Sequence, residues 1–228
     1  MISRPGTFPP SSWSVTIIRR SEIRGLCLVL DADLLRTGAE DAAQAALDAG
    51  VRLFQYRNKR GTRRAIYETC LRLAVLMRRS SAAFIVNDHP DIAMAVDADG
   101  VHLGQDDLPV EEARKLMGGS RIIGVSTHSV EQARAAQSAG ADYIGFGPIF
   151  TTKTKDAGPR QGIEGLRQVR KAVTLPVIAI GGINGGNLDE VLRAGADGVA
   201  VISAILAAPD LHKAARGMVD RIQRTAVS

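Results

Sequence analysis

Eight short apolar runs, each separated from the next by a stretch of helical polarity, narrow the folding options of this chain more than any other feature. The runs are LCLVL (26–30), VRLFQYR (51–57), AFIVN (83–87), GVHLG (100–104), RIIGVS (121–126), DYIGFG (142–147), PVIAIG (176–181) and GVAVIS (198–203). Such alternation marks successive βα units and a parallel sheet. Between the second and third runs, Ile66, Cys70, Leu73, Ala74 and Met77 recur at helical spacing, an apolar stripe for packing on a sheet. Ser129 with Gln132, and Asn187 with Glu190, carry the spacing of capping boxes. AGAD at 139–142 and 194–197, with ADG at 98–100, marks places where a helix ends and a strand begins. Eight units predict an α/β fold with a single (β/α)8 TIM barrel over residues 25–228. A doubly wound sheet is disfavoured because DADLL, not a glycine-rich dinucleotide turn, follows the first strand. Residues 1–24, basic and bearing prolines and serines, read as a loosely ordered extension, with a transit peptide as the alternative.

The 228 residues suffice for one domain with a sizeable core. Lys and Arg number 29 against 24 Asp and Glu, and the +5 excess is dispersed, which suits anionic small molecules. Aromatics at 4% leave little for base-stacking platforms, so nucleic acid is not the expected partner. No run approaches the ~20 apolar residues that cross a bilayer, and no membrane partner is expected. Cys27 and Cys70 each lie in an apolar run without metal-ligand spacing and read as buried, reduced thiols. A cytoplasmic location is the expectation, and a homo-oligomer is compatible with the sequence.

In a (β/α)8 barrel the active groups sit at the C-terminal ends of the strands. The second strand ends in Gln55, Arg57 and Lys59 on one face, which brings an amide and two cations to the barrel mouth. The third ends in Asn87 and Asp88, and the fourth leads to Asp106 and Asp107. Carboxylates from adjacent strand ends can share Mg2+, a hard cation that takes one or two carboxylates plus phosphate oxygens, so Asp88 and Asp107 are the expected ligands. The plainer reading makes these carboxylates helix caps or loop residues. Ser126, Thr127 and His128 follow the fifth strand; Ser126 suits hydrogen bonding to a heterocycle, and His128 has no nucleophile to activate. A long segment from Gly147 to Gly162, with Thr152, Thr154 and Lys155, reads as a functional lid over phosphate. The seventh and eighth strands end in Gly181-Gly182 and Ile202-Ser203, where this architecture recurrently binds phosphate.

Taken in order, QYRNK, VND, HLGQDD, GVSTH, GFGPIFTTKTK, IAIGGI and GADGVAVIS resemble the motif set of the thiamine phosphate synthases, from about Leu26 to Ile205. The resemblance implies Arg57, Lys59, Asn87 and Lys155 on a diphosphate and Asp88 and Asp107 on Mg2+. It further implies Gln55 and Ser126 around a pyrimidine, and Thr152, Thr154, Gly182 and Ser203 near a thiazole phosphate. The chain departs from the family where LCLVLD replaces something like LYLVTD, which makes a first-strand contact from Cys27 or Leu30 doubtful. The activity implied condenses 4-amino-2-methyl-5-hydroxymethylpyrimidine diphosphate with 4-methyl-5-(2-phosphoethyl)thiazole. Diphosphate leaves dissociatively, and the thiazole nitrogen captures the resulting cation. That nitrogen carries no proton, so no general base is needed, and no nucleophile–base pair is read from the sequence. A thiazole tautomerase and a non-catalytic phosphate-sensing barrel are the alternatives; the first needs a proton shuttle, the second no turnover.

Overall fold

The computed structural model describes residues 23–152 and 159–227, so Thr154, Lys155 and residues 1–22 lie outside the described residues. Eight strands, β1 (Gly25–Asp31), β2 (Leu53–Arg57), β3 (Ala83–Asn87), β4 (Gly100–Leu103), β5 (Ile122–Thr127), β6 (Tyr143–Phe146), β7 (Val177–Ile180) and β8 (Gly198–Val201), pair in chain order and close into a barrel. All eight pairings are parallel, including β8 against β1. The helices α1 (Ala39–Asp48), α2 (Arg63–Arg79), α3 (Pro90–Ala95), α4 (Val110–Met117), α5 (Val130–Ser138), α6 (Gly162–Ala172) and α7 (Leu188–Arg193) follow the first seven strands. A short α8 (Ser203–Leu206) follows β8, and α9 (Leu211–Val227) ends the described chain.

Strand periodicity divides the apolar residues between two cores. Leu28, Leu30, Phe54, Tyr56, Phe84 and Val86 point outward and meet the helices. Cys27, Val29, Leu53, Ile85, Tyr143 and Ile178 point inward and fill the barrel. Ile23, which the sequence reading assigned to the extension, is buried in that inner core. The buried face of α2 is the predicted stripe of Ile66, Cys70, Leu73, Ala74 and Met77.

The ADG and AGAD repeats have a physical role at the barrel floor. Asp99, Asp142 and Asp197 accept the backbone N–H groups of Phe84, Ile123 and Val177 at 2.8, 2.7 and 2.8 Å, pinning the start of one strand to the approach of the next. Arg114 and Arg170 cover two of these carboxylates, Asp142 at 2.6 Å and Asp197 at 2.7 Å. The capping boxes fare unequally. Ser129 Oγ accepts the Gln132 N–H at 3.2 Å, while Gln132 reaches back to the His128 N–H at 2.7 Å. Asn187, predicted to cap α7, makes no side-chain cap. Its amide is committed elsewhere, accepting the Asn184 N–H at 2.9 Å and donating to the Gly182 carbonyl at 3.0 Å.

Candidate active site

A cavity of about 560 Å³ opens at the C-terminal ends of the strands. Its size is that of a small-molecule site. Of the residues predicted from the sequence, Gln55, Arg57, Asn87, Ser126, Thr152, Gly182, Ile202 and Ser203 line it. The two from β2 enter by strand alternation, because Phe54 and Tyr56 turn outward and Gln55 and Arg57 must then turn in. Thr154 and Lys155 fall outside the described residues.

Arg57 does not stand alone. Its Nη1 donates to Asp31 Oδ2 at 2.5 Å, and Asp31, at the end of β1, is a buried carboxylate. The β2 loop is shaped by Asn58, whose Oδ1 accepts the N–H groups of Arg60 and Gly61 at 3.2 and 2.7 Å while its Nδ2 donates to the Tyr56 hydroxyl at 3.2 Å. That turn presents Lys59, whose ammonium pairs with Asp88.

Asp88 and Asp107 lie near enough for the Asp107 carboxylate to act on that of Asp88. Burial pushes the Asp88 carboxyl up from the usual carboxylate range; the hydrogen bond from Lys59 opposes this, and the neighbouring Asp107 adds to it. Neither carboxylate is a helix cap, since α3 starts from His89 and α4 from Pro109. Asp107 Oδ2 accepts the Gly104 N–H at 2.6 Å, which fixes it under β4. Asp88 holds a left-handed backbone, φ +66°, a conformation that costs a non-glycine residue about 1–3 kcal/mol and persists where surroundings impose it. Two carboxylates gathered without a capping role suit a hard dication. Among the described residues no cluster of three or more His, Cys, Asp or Glu could hold a metal by itself. A cation on this pair would need further oxygens from a ligand.

At the opposite side of the mouth, Gly181 and Gly182 take φ of +100° and +65°, and the chain between β6 and α6 lies against them. Ile149 N–H donates to the Ile180 carbonyl at 2.9 Å and Phe150 N–H to the Gly181 carbonyl at 3.0 Å. A Cβ at residue 182 would sit 2.7 Å from the Thr151 carbonyl oxygen and 2.8 Å from Phe150 Cβ. Glycine is therefore required here by the close approach of the neighbouring loop as well as by φ.

The structure also brings in residues that were not predicted. His102 and Tyr143 line the cavity from β4 and β6. His102 Nε2 lies 2.9 Å from Ser126 Oγ, and its Nδ1 lies 2.9 Å from the Tyr143 hydroxyl. Neighbouring barrel strands thus bring a serine and a histidine together across 24 residues of sequence, a pairing that the sequence alone does not display. The signal was present in the inward parity of His102, between the outward Val101 and Leu103. His128 also lines the cavity, its Nδ1 2.6 Å from the Gly147 carbonyl. Cys27 lines the cavity too, so β1 does face the site there, whereas Leu30 turns outward. Burial pushes the Cys27 thiol up to about 12, which keeps it protonated.

A family model described as thiamine monophosphate synthase matches residues 26–205. The thiamine-phosphate synthase of Chloroflexus aurantiacus is 50% identical over 193 residues, covering 84% of this chain and 89% of that one. That of Archaeoglobus fulgidus is 48% identical over 207 residues, covering 90% and 97%. Among solved structures, a thiamine phosphate pyrophosphorylase from Pyrococcus furiosus superposes with a TM-score of 0.82 at 39% identity, over 90% of this chain and 98% of that one.

Proposed function

The chain belongs to the thiamine monophosphate synthase family and is a transferase that makes thiamine phosphate, and from that premise we propose how its barrel mouth divides the work. The pyrimidine ring lies between Gln55 and Ser126, its diphosphate toward Arg57, Asn87 and Lys59, with Lys155 completing the cationic set. The thiazole phosphate lies against Gly182, Ile202 and Ser203, flanked by Thr152 and Thr154. The observation that supports this division is that a single cavity is lined both by Arg57 and Asn87 from the ends of β2 and β3 and by Gly182 and Ser203 after β7 and β8.

Asp88 and Asp107 would hold Mg2+, which supplies charge neutralisation for diphosphate oxygens when bound. The protein's own groups do the rest. Arg57, kept rigid by Asp31, and Lys59 stabilise negative charge as it accumulates on the departing diphosphate. The ring and its amino group delocalise the positive charge left behind, and the thiazole nitrogen, aligned by its phosphate, closes the new C–N bond. No proton leaves that nitrogen, so the reaction asks no base of His128, which is tied to the Gly147 carbonyl.

The test is product formation from both substrates with Mg2+ and then with excess chelator. Thiamine phosphate should appear in the first case and fall to background in the second. Full activity in chelator removes Mg2+ from the account; no product in either case removes the division of the site.

A further inference from the structure

Four inward side chains from four strands form one line beneath the mouth. Gln55 of β2 lines the same cavity as Tyr143 of β6 and acts on its phenol. That hydroxyl meets His102 Nδ1 of β4, and His102 Nε2 meets Ser126 Oγ of β5. Gly124 makes the line possible, since a Cβ there would collide with the Tyr143 phenol, 2.1 Å from its Cζ and 2.5 Å from its hydroxyl oxygen. With His102 as a neutral imidazole, the protons along the line can all point one way or all point the other, and the choice at one end sets the other.

The two senses present different faces to a ligand. In the first, Gln55 donates its amide N–H to Tyr143, Tyr143 donates to His102 Nδ1, and His102 donates from Nε2 to Ser126. Ser126 then offers its own proton to the cavity, and the Gln55 carbonyl oxygen remains an acceptor. In the second sense Tyr143 donates to the Gln55 oxygen, His102 donates from Nδ1, and Ser126 spends its proton on Nε2. Ser126 is then an acceptor and Gln55 a donor. An aminopyrimidine carries a ring-nitrogen acceptor beside an amino donor and matches the first sense. A pyrimidinone carries a ring N–H beside a carbonyl and matches the second.

The geometry points to His102 and Tyr143 as positioning residues that fix the donor–acceptor sense of Ser126 and Gln55, and thereby select a 4-aminopyrimidine diphosphate over its 4-oxo analogue. This rests on the reading that the pyrimidine lies between Gln55 and Ser126. The line is not a nucleophilic dyad awaiting an acyl group. The Tyr143 phenol supplies no anion to steady an imidazolium as a triad carboxylate does, since burial holds its proton well above the ordinary range for a phenol.

Two measurements test this. Nitrogen-15 NMR of His102 in the free enzyme should show the Nε2–H tautomer, and the Nδ1–H tautomer would overturn the proposal without any reference to activity. In steady-state kinetics, Tyr143→Phe keeps the ring and removes the hydroxyl that imposes the sense. Its preference for the amino over the oxo diphosphate should fall by about tenfold or more, through a higher KM for the amino substrate and with the thiazole phosphate KM unchanged. A preference equal to wild type in folded Tyr143→Phe overturns the relay. Ser126→Ala and Gln55→Leu separate the two failures. If both leave the pyrimidine diphosphate KM at wild type, the site reading fails and the proposal with it; if they raise it while Tyr143→Phe does nothing, the relay alone fails.

Discussion

Removing the Arg57 guanidinium takes away more than a diphosphate contact, because the buried Asp31 carboxylate loses its 2.5 Å partner. Breaking one side of a buried pair costs about 3–5 kcal/mol. Arg57→Ala should therefore unfold at markedly lower urea as well as lose turnover, and Arg57→Ala with Asp31→Asn should regain stability without regaining turnover. Equal urea midpoints for wild type and Arg57→Ala would mean that the pair has no structural role. Gly182 is a second residue with two roles. Its φ of +65° and the approach of the Thr151 carbonyl mean that Gly182→Val must displace the wall carrying Thr151 and Thr152. Calorimetry on that variant should show weakened thiazole phosphate binding with pyrimidine diphosphate affinity nearly unchanged, and kinetics should show a fall in kcat too. Weakening confined to the pyrimidine diphosphate would exchange the two ends of the site. Arg57 and Gly182 were legible because a cation or a glycine at a strand end has few other reasons to be there. His102 and Tyr143 were not, because a lone inward polar residue reads as core until its partners on other strands are known.

At the level of elements, strand parity carried nearly all the foresight, since inward and outward residues alternate whatever the loops do. Helix starts were harder to read. Ser129 caps α5, yet Asn187, with equally good spacing, braces the β7–α7 loop instead, holding the Gly182 carbonyl and the Asn184 N–H. A side chain that can bond two sets of backbone groups goes to the set that the fold leaves within reach, and spacing cannot choose between them. The same loop is tied from outside by Arg221 of α9, which donates to both Asp189 oxygens at 2.6 and 2.7 Å and to the Gly185 carbonyl at 2.5 Å. Asn187→Ala should raise the thiazole phosphate KM on the order of tenfold, since each hydrogen bond lost is worth about 1 kcal/mol. Arg221→Met should shift it in the same direction by less, the pair being only half-buried and screened by solvent. Initial rates at varied thiazole phosphate decide this, and an unchanged KM in Asn187→Ala would show that the loop keeps its shape without the brace.

For the whole molecule, the eightfold alternation was enough to predict closure, and closure is what convenes a site from residues as far apart in sequence as Gln55 and Ser203. Which strand-end residues reach a common cavity was less legible, because that depends on barrel register: Lys59, Asp88 and Asp107 cluster beside the cavity, while Gln55, Asn87 and Ser126 line it. The central claim is that one mouth holds the pyrimidine and thiazole ends of the reaction on opposite sides. A crystal structure of the enzyme with thiamine phosphate and diphosphate bound tests it most directly. The account predicts the aminopyrimidine between Gln55 and Ser126, the diphosphate at Arg57 and Asn87, and the thiamine phosphate group at Gly182 and Ser203; a product bound the other way round, or outside this cavity, would contradict it.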